Sequence, residues 1–122
     1  MKSDNIVSEK SLIFAIRIVR LYQYLVREKN EYVLSKQMLK SGTSVGANIR
    51  EALRGQSRQD FAAKMNISLK EINETEYWLE LLYKTDYITK KEFQSIFSDC
   101  NELTKLLTSI VKTTRKNPNC EF

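Results

Sequence analysis

Apolar residues recur at intervals of three and four along most of the chain, the spacing typical of amphipathic α-helices. Short polar breaks interrupt the pattern three times, and it therefore predicts four helices. Their expected ranges are about 8–29, 31–54, 57–84 and 89–116, followed by a loose tail over 117–122. Because the links are short, neighbouring helices should be antiparallel. The prediction is an all-α fold, an up-down-up-down antiparallel four-helix bundle.

Residues near the breaks match known helix-end signals. Asn30 is predicted to end the first helix in a left-handed conformation, and Gly55 is predicted to close the second helix. Ser57 can cap the third helix through its hydroxyl group. Thr89 and Glu92 have the spacing of a capping box, in which each side chain accepts the other residue's backbone amide.

The first helix carries more apolar surface than one bundle core needs. Its apolar residues cover roughly 220° of arc at 100° per residue, whereas a surface helix of a monomer shows a stripe just over ~100° wide. These residues are Leu12, Phe14, Ala15, Ile16, Ile18, Val19, Leu21, Tyr22, Leu25 and Val26. The surplus predicts a homo-oligomer. The alternative is a wide core face covered by tyrosine and arginine side chains.

Composition agrees with a single domain over residues 1–122. With 42% hydrophobic residues, three glycines and one proline, the chain can bury a core and has few turn formers. Cys100 and Cys120 are expected to be reduced thiols. Since no apolar run approaches the ~20 residues of a membrane span and no signal peptide is evident, we expect a soluble, cytoplasmic protein that does not contact membranes.

Candidate chemistry is sparse, because the chain contains no histidine. The usual general base and the histidine-bearing metal sites are therefore excluded, and we expect no enzyme activity, cofactor or metal. Glu71 and Glu74 lie on an otherwise apolar strip of the third helix, with Ile67, Trp78 and Leu81. They could be a metal or acid-base pair.

The interpretation favoured for these acids is structural. An unpaired buried carboxylate is very unfavourable, so each should bind a polar group of a neighbouring helix, such as Ser44, Asn48 or Lys40. The predicted structural polar network comprises Ser44, Asn48, Glu51, Glu71 and Glu74.

Basic residues form two stripes, within a net charge of +5. The second helix carries Lys36, Lys40, Arg50 and Arg54, with Arg58 just beyond. The first helix carries Arg17, Arg20, Tyr24 and Arg27. Both stripes are almost free of acids, and a tyrosine ring can stack on a base. They predict nucleic-acid binding, RNA more than DNA. The alternative is a protein-only scaffold whose basic stripes contact subunits or a partner protein.

Residues 37–52, QMLKSGTSVGANIREA, closely resemble the central signature of bacterial four-helix bundle proteins called 23S rRNA intervening-sequence proteins. The segment from Phe61 to Trp78 resembles the stretch that follows it in that family. The resemblance implies a homo-oligomeric bundle, with a pentamer in the known cases. Family relatives include the accessory variability proteins of diversity-generating retroelements, which bind nucleic acid and a reverse transcriptase. The partners that the resemblance implies are thus further copies, RNA or DNA, and a reverse transcriptase or other protein.

Two positions depart from the family pattern. Lys40 stands where arginine is expected, and Ala52 where many members have glycine. Lysine keeps the positive charge but loses the two-pronged geometry of a guanidinium group.

Overall fold

The computed structural model describes the backbone over residues 2–116 and the side chains over 4–114. It contains four helices, α1 (Lys2–Lys29), α2 (Leu34–Leu53), α3 (Arg58–Lys84) and α4 (Lys90–Lys116), and no strand occurs in that range. The predicted all-α fold is confirmed. The tail predicted at 117–122 lies outside the described residues.

Side-chain contacts show that neighbouring helices are antiparallel. Between α1 and α4, Lys10 pairs with Glu102 and Arg17 with Asp99. The residue number on α4 therefore falls as the residue number on α1 rises, as it does in antiparallel helices. The contacts of α2 with α3 and of α3 with α4 follow the same order, so these pairs of helices are also antiparallel. Helix α1 packs against α2 and α4, and α3 packs against the same two helices. The four helices therefore surround one core, with α1 and α3 diagonally opposite.

Hydroxyl groups join α2 to α3 inside the core. The Ser68 hydroxyl donates to the Val45 carbonyl oxygen at 2.7 Å, and the Thr75 hydroxyl lies 2.9 Å from the Ser41 hydroxyl. All three hydroxyl side chains are fully buried. Because a buried polar group is costly unless it is bonded, these contacts fix the register of the two helices.

Glycine lets α1 approach α2 closely. A Cβ atom at Gly42 would lie 2.9 Å from two side-chain carbons of Ile18, closer than nonbonded carbons normally come. Any larger residue at this position would push the two helices apart.

The observed helix starts differ from the expected ones. Helix α1 begins at Lys2 rather than near residue 8, because the apolar stripe continues back to the fully buried Val7. Helix α2 begins at Leu34 rather than at residue 31. The Thr89–Glu92 capping box and the Ser57 cap are confirmed by their hydrogen bonds.

Glu31 explains the later start of α2. Its carboxylate accepts the backbone amides of Val33 and Leu34 at 3.1 Å and that of Ser35 at 2.6 Å. Asn30, at φ 54°, provides the predicted left-handed stop before it. Burial alone would raise the pKa of Glu31, but these hydrogen bonds to the ionised form outweigh it and lower the pKa. The ionised Glu31 thus caps α2, although it precedes the first residue of the helix.

Cys100 belongs to the core of α4. It is fully buried as a free thiol, and burial raises its pKa. Such a thiol is unreactive. The second cysteine, Cys120, lies outside the described residues. None of the described helices is long and apolar enough to cross a membrane.

We expect Glu31→Ala to lower the free energy of unfolding at pH 7 by about 1–3 kcal/mol, because three helix-end amides lose their acceptor. The exposed Glu28→Ala is the control and should change it by less than about 0.5 kcal/mol. Since folding lowers the pKa of Glu31, its contribution is complete above the ordinary value of 4.5 and is lost as the pH falls through the folded pKa. Urea unfolding at several pH values measures both effects. Equal stability of Glu31→Ala and the wild type at pH 7 would contradict the capping role.

Candidate nucleic-acid interface

The basic stripe of α2 lies on the solvent-exposed face of the helix. Buried Met38, Val45 and Ile49 hold the opposite face against the core. The residues that consequently point to solvent are Lys36, Lys40, Arg50 and Arg54, all exposed. We call them the α2 basic face; at 1.5 Å per residue, it extends about 27 Å.

The cations of the α2 basic face are available for a ligand. Within residues 4–114, none of the four forms an ion pair with a carboxylate. Glu51 shares this side of the helix, but its carboxylate is paired with Lys64 of α3 at 3.0 Å. The face therefore carries a concentrated positive charge of the kind that attracts a polyanion.

Arg17, predicted as a nucleic-acid contact, is bound to α4 instead. Its guanidinium donates to the Asp99 carboxylate at 2.6 Å and to the Ser95 hydroxyl at 2.8 Å. The sequence pattern gives no sign of this pairing, because the acid lies on another helix, 82 residues away. Arg20 and Arg27 are exposed, and Arg20 bonds the neutral amide of Gln23 at 3.4 Å.

Tyr24 and Arg58 also contact other parts of the protein. Tyr24 is half-buried against the core, and the Lys29 ammonium group lies 6.0 Å from its ring centroid. The Arg58 guanidinium donates to the Thr114 carbonyl oxygen at 2.7 Å and links the start of α3 to the end of α4. Only part of the predicted interface is thus open to solvent, and the α2 basic face is its most continuous portion.

The hydrogen bonds predicted between the acids Glu71 and Glu74 and the polar side chains Ser44 and Asn48 are not formed. Ser44 and Asn48 bond to backbone carbonyl oxygens of α2, at Lys40 and Ser44 respectively. Serine and asparagine readily make such local bonds in helices. Glu74 is exposed and accepts a hydrogen bond from the Trp78 indole at 3.1 Å.

Glu71 is half-buried and has no hydrogen bond from the other described side chains. Its pKa is raised first by burial and then by the negative charge of Glu74, while the positive charge of Lys40 acts in the opposite direction. Lys40 is therefore an electrostatic neighbour of Glu71 rather than a hydrogen-bond donor. No group of three or more potential metal-ligating acids, cysteines or histidines occurs in the described part of the chain.

An exposed apolar patch lies on α1. Leu12, Ile13 and Ile16 are 46%, 58% and 50% exposed, while Phe14 and Ile18 on the other face fill the core. The bundle therefore leaves part of the apolar surface of this helix exposed. Large exposed aliphatic side chains grouped in this way are typical of interaction surfaces.

A family model described as 23S rRNA-intervening sequence protein matches residues 3–109. A solved structure from Bacteroides thetaiotaomicron VPI-5482, described as a protein with unknown function from the S23 ribosomal protein family, is 62% identical in sequence. It superimposes with a TM-score of 0.89, covering 90% of this chain and 98% of that one. No curated protein matches the chain.

We expect Arg17→Gln to destabilise the fold by about 1 kcal/mol, because its charge-assisted bonds to α4 are removed at a partly exposed site. The control Arg27→Gln removes an exposed charge from the same helix and should have an effect below about 0.5 kcal/mol. Urea unfolding followed by circular dichroism compares the two. Equal effects would show that Arg17 has no special structural role.

Proposed function

Because the chain belongs to the 23S rRNA-intervening sequence protein family, we propose that it is a homo-oligomeric, non-enzymatic protein that binds nucleic acid. We propose RNA rather than DNA as the ligand, and the α2 basic face as the principal binding surface. The observation that carries this proposal is the row of four exposed cations, Lys36, Lys40, Arg50 and Arg54, with no carboxylate paired to them within residues 4–114.

The spacing of these cations fits a phosphate backbone. A row about 27 Å long spans several phosphates, and each lysine or arginine that meets one releases counterions from the nucleic acid. Such contacts position a ligand without reading its bases. We therefore propose recognition by charge and shape, with little sequence preference from this face.

Assembly would strengthen such a site. The α1 patch of Leu12, Ile13 and Ile16 supports a homo-oligomer, since association would remove it from water. We propose five copies, the number that the family resemblance implies. Several α2 basic faces on one particle would then bind a single RNA together, and avidity would compensate for a weak individual site.

The remaining parts of the proposal concern chemistry and partners. We propose that Glu71 and Glu74 serve structure and association rather than catalysis, so that the protein acts by binding alone and needs no cofactor. A reverse transcriptase or another protein is a further partner implied by the resemblance. We propose the cytoplasm as the place of action, where RNA is found and thiols such as Cys100 remain reduced.

A protein-only scaffold is the second candidate. The bonds of Arg17 and Arg58 to α4 favour it, since they show basic residues serving protein contacts in this bundle. Under this alternative, the α2 basic face would meet acids of a neighbouring protein. Binding of nucleic acid by the purified protein separates the two candidates.

We expect light scattering at micromolar concentration to give a mass several times the 14.3 kDa of one chain. Ile13→Glu with Ile16→Glu should lower this mass, because charges would then lie in the apolar contact. Val33→Glu is the control, since Val33 is 70% exposed at the turn between α1 and α2 and belongs to no such patch. A 14.3 kDa wild type would refute the proposed assembly.

We expect Arg50→Gln with Arg54→Gln to weaken binding to structured RNA and to reduce the salt slope by about one for each phosphate that the protein no longer neutralises. The matched control is Lys105→Gln with Lys112→Gln, which removes the same charge from exposed positions on α4. Fluorescence anisotropy titrations between low and moderate salt measure affinity and slope. Absence of binding by the wild type at low salt, or unchanged binding by the arginine variant, would favour the scaffold.

A further inference from the structure

Two of the six tyrosines have rings that the bundle does not use. The other four are half-buried against the core: Tyr22, Tyr24, Tyr83 and Tyr87. Tyr32 and Tyr77 are 54% and 59% exposed. Tyr24, predicted as a base-stacking residue, is among the half-buried four, so its ring is only partly accessible. A nucleic-acid base that stacks on a tyrosine of this protein therefore has to meet Tyr32 or Tyr77.

The charges beside Tyr77 are unfavourable for such a ligand. Tyr77 lies on α3 between Glu74 and Glu80, each three residues away and exposed. Residues three apart are neighbours on a helix surface, so the two carboxylates flank the ring. A phosphate that approached this ring would be repelled by both.

Tyr32 lies in the turn between α1 and α2, where exposed cations outnumber acids. The exposed charged residues of the segment 27–36 are Arg27, Glu28, Lys29 and Lys36. The remaining acid of this segment, Glu31, is buried, and its carboxylate accepts three amides at the start of α2. The surroundings of Tyr32 therefore attract phosphate.

The neighbouring turn has the same sign of charge. Because α3 runs antiparallel to α2, the turn between α3 and α4 lies at the same end of the bundle as Tyr32. Its exposed charged side chains outside the capping box are Lys84, Asp86, Lys90 and Lys91. Glu92 caps α4 by accepting the Thr89 amide at 2.8 Å. Both turns at this end of the bundle thus favour a polyanion over a polycation.

Hydrogen bonds hold the Tyr32 ring and its turn in place. The Tyr32 hydroxyl donates to Oδ1 of Asn30 at 3.0 Å, and the Glu31 amide donates to the Leu25 carbonyl oxygen at 3.0 Å. Among residues 4–114, no aromatic ring and no ammonium group contacts the Tyr32 ring. The ring is therefore ordered before a ligand arrives, which lowers the entropy cost of binding.

The turn leads directly into the α2 basic face. Val33 already has helical backbone angles, and its carbonyl oxygen accepts the Gln37 amide at 3.4 Å. Lys36, the first cation of the α2 basic face, thus follows Tyr32 by one helical turn, about 6 Å along the axis. One nucleotide can place its phosphate at Lys36 and its base on the Tyr32 ring.

From this arrangement we infer that Tyr32 stacks on an unpaired base of an RNA whose backbone follows the α2 basic face. The inference rests on the proposed function and narrows its ligand to RNA with single-stranded segments, such as the loops of a folded RNA. In a duplex the bases are stacked on one another and offer no free face along the helix. Stacking on an aromatic ring tolerates every base, so it adds affinity without a sequence preference.

Removal of the ring and removal of the bases test the inference together. The probes are a labelled oligouridine of about eight nucleotides, within the size range of single-strand sites, the same strand with a stable abasic spacer at every position, and an RNA duplex. Tyr32→Ala should bind oligouridine at least about fivefold more weakly than the wild type, as expected for the loss of one stacked base. It should bind the abasic strand and the duplex as the wild type does, because their phosphate contacts are unchanged. Fluorescence anisotropy at low salt measures all three.

Three variants serve as controls. Tyr32→Phe keeps the ring and should bind oligouridine within about twofold of the wild type. Tyr77→Ala removes the other exposed tyrosine and should leave binding unchanged. Arg50→Gln with Arg54→Gln should weaken binding of all three probes, since each carries phosphates. Light scattering verifies that every variant keeps the mass of the wild type.

The outcomes separate the inference from the proposed function. Absence of binding of any probe by the wild type would end both. Binding of oligouridine that is unchanged in Tyr32→Ala would overturn the stacking role alone, and the exposed turn would then fit a protein contact instead. Equal weakening of Tyr32→Ala on oligouridine and on the abasic strand would also overturn it, because the ring would then act without a base.

Discussion

The hydrogen bond from the Ser68 hydroxyl to the Val45 carbonyl oxygen fixes the part of the bundle on which the proposed function depends. It lies in the core, where the Ser68 hydroxyl cannot reach water, so rotation or sliding of α2 against α3 would take this hydroxyl away from its acceptor. With Val45 held inward, the residues on the opposite side of α2 must face solvent. The exposure of Lys36, Lys40, Arg50 and Arg54 follows from this buried contact and from the tight fit of Gly42 against α1.

Features encoded within one helix or one turn could be predicted from the sequence. The Thr89–Glu92 capping box depends on two residues three apart, and the exposure of the α2 basic face follows from the helical period. The cap at Glu31 was not predictable in the same way. Its carboxylate reaches amides up to four residues ahead, which requires the left-handed turn at Asn30 to aim it.

Contacts between helices far apart in sequence could not be predicted. The helical period indicates that Arg17 lies toward one edge of α1, but the presence of Asp99 opposite it depends on how α4 is rotated and shifted against α1. For Glu71, Ser44 and Asn48 were the right type of partner on the right helix. Their side chains instead donate hydrogen bonds to backbone carbonyl oxygens of α2. An acceptor one turn away on the same helix requires no alignment with another helix.

The different surroundings of the basic residues distinguish ligand binding from assembly. A side-chain cation that binds phosphate should remain hydrated and free of protein partners. An ion pair with a carboxylate of the protein would have to be broken before the ligand could bind. Lys36, Arg50 and Arg54 of the α2 basic face meet this requirement, whereas the charge of Lys40 acts on the Glu71 carboxyl group. On α1, Arg17 is already engaged and Arg20 stands beside apolar side chains, where a neighbouring carboxylate would be attracted more strongly than in open water. Under the proposed function, the same residue types would therefore serve different tasks, according to whether hydrated or apolar surface surrounds them.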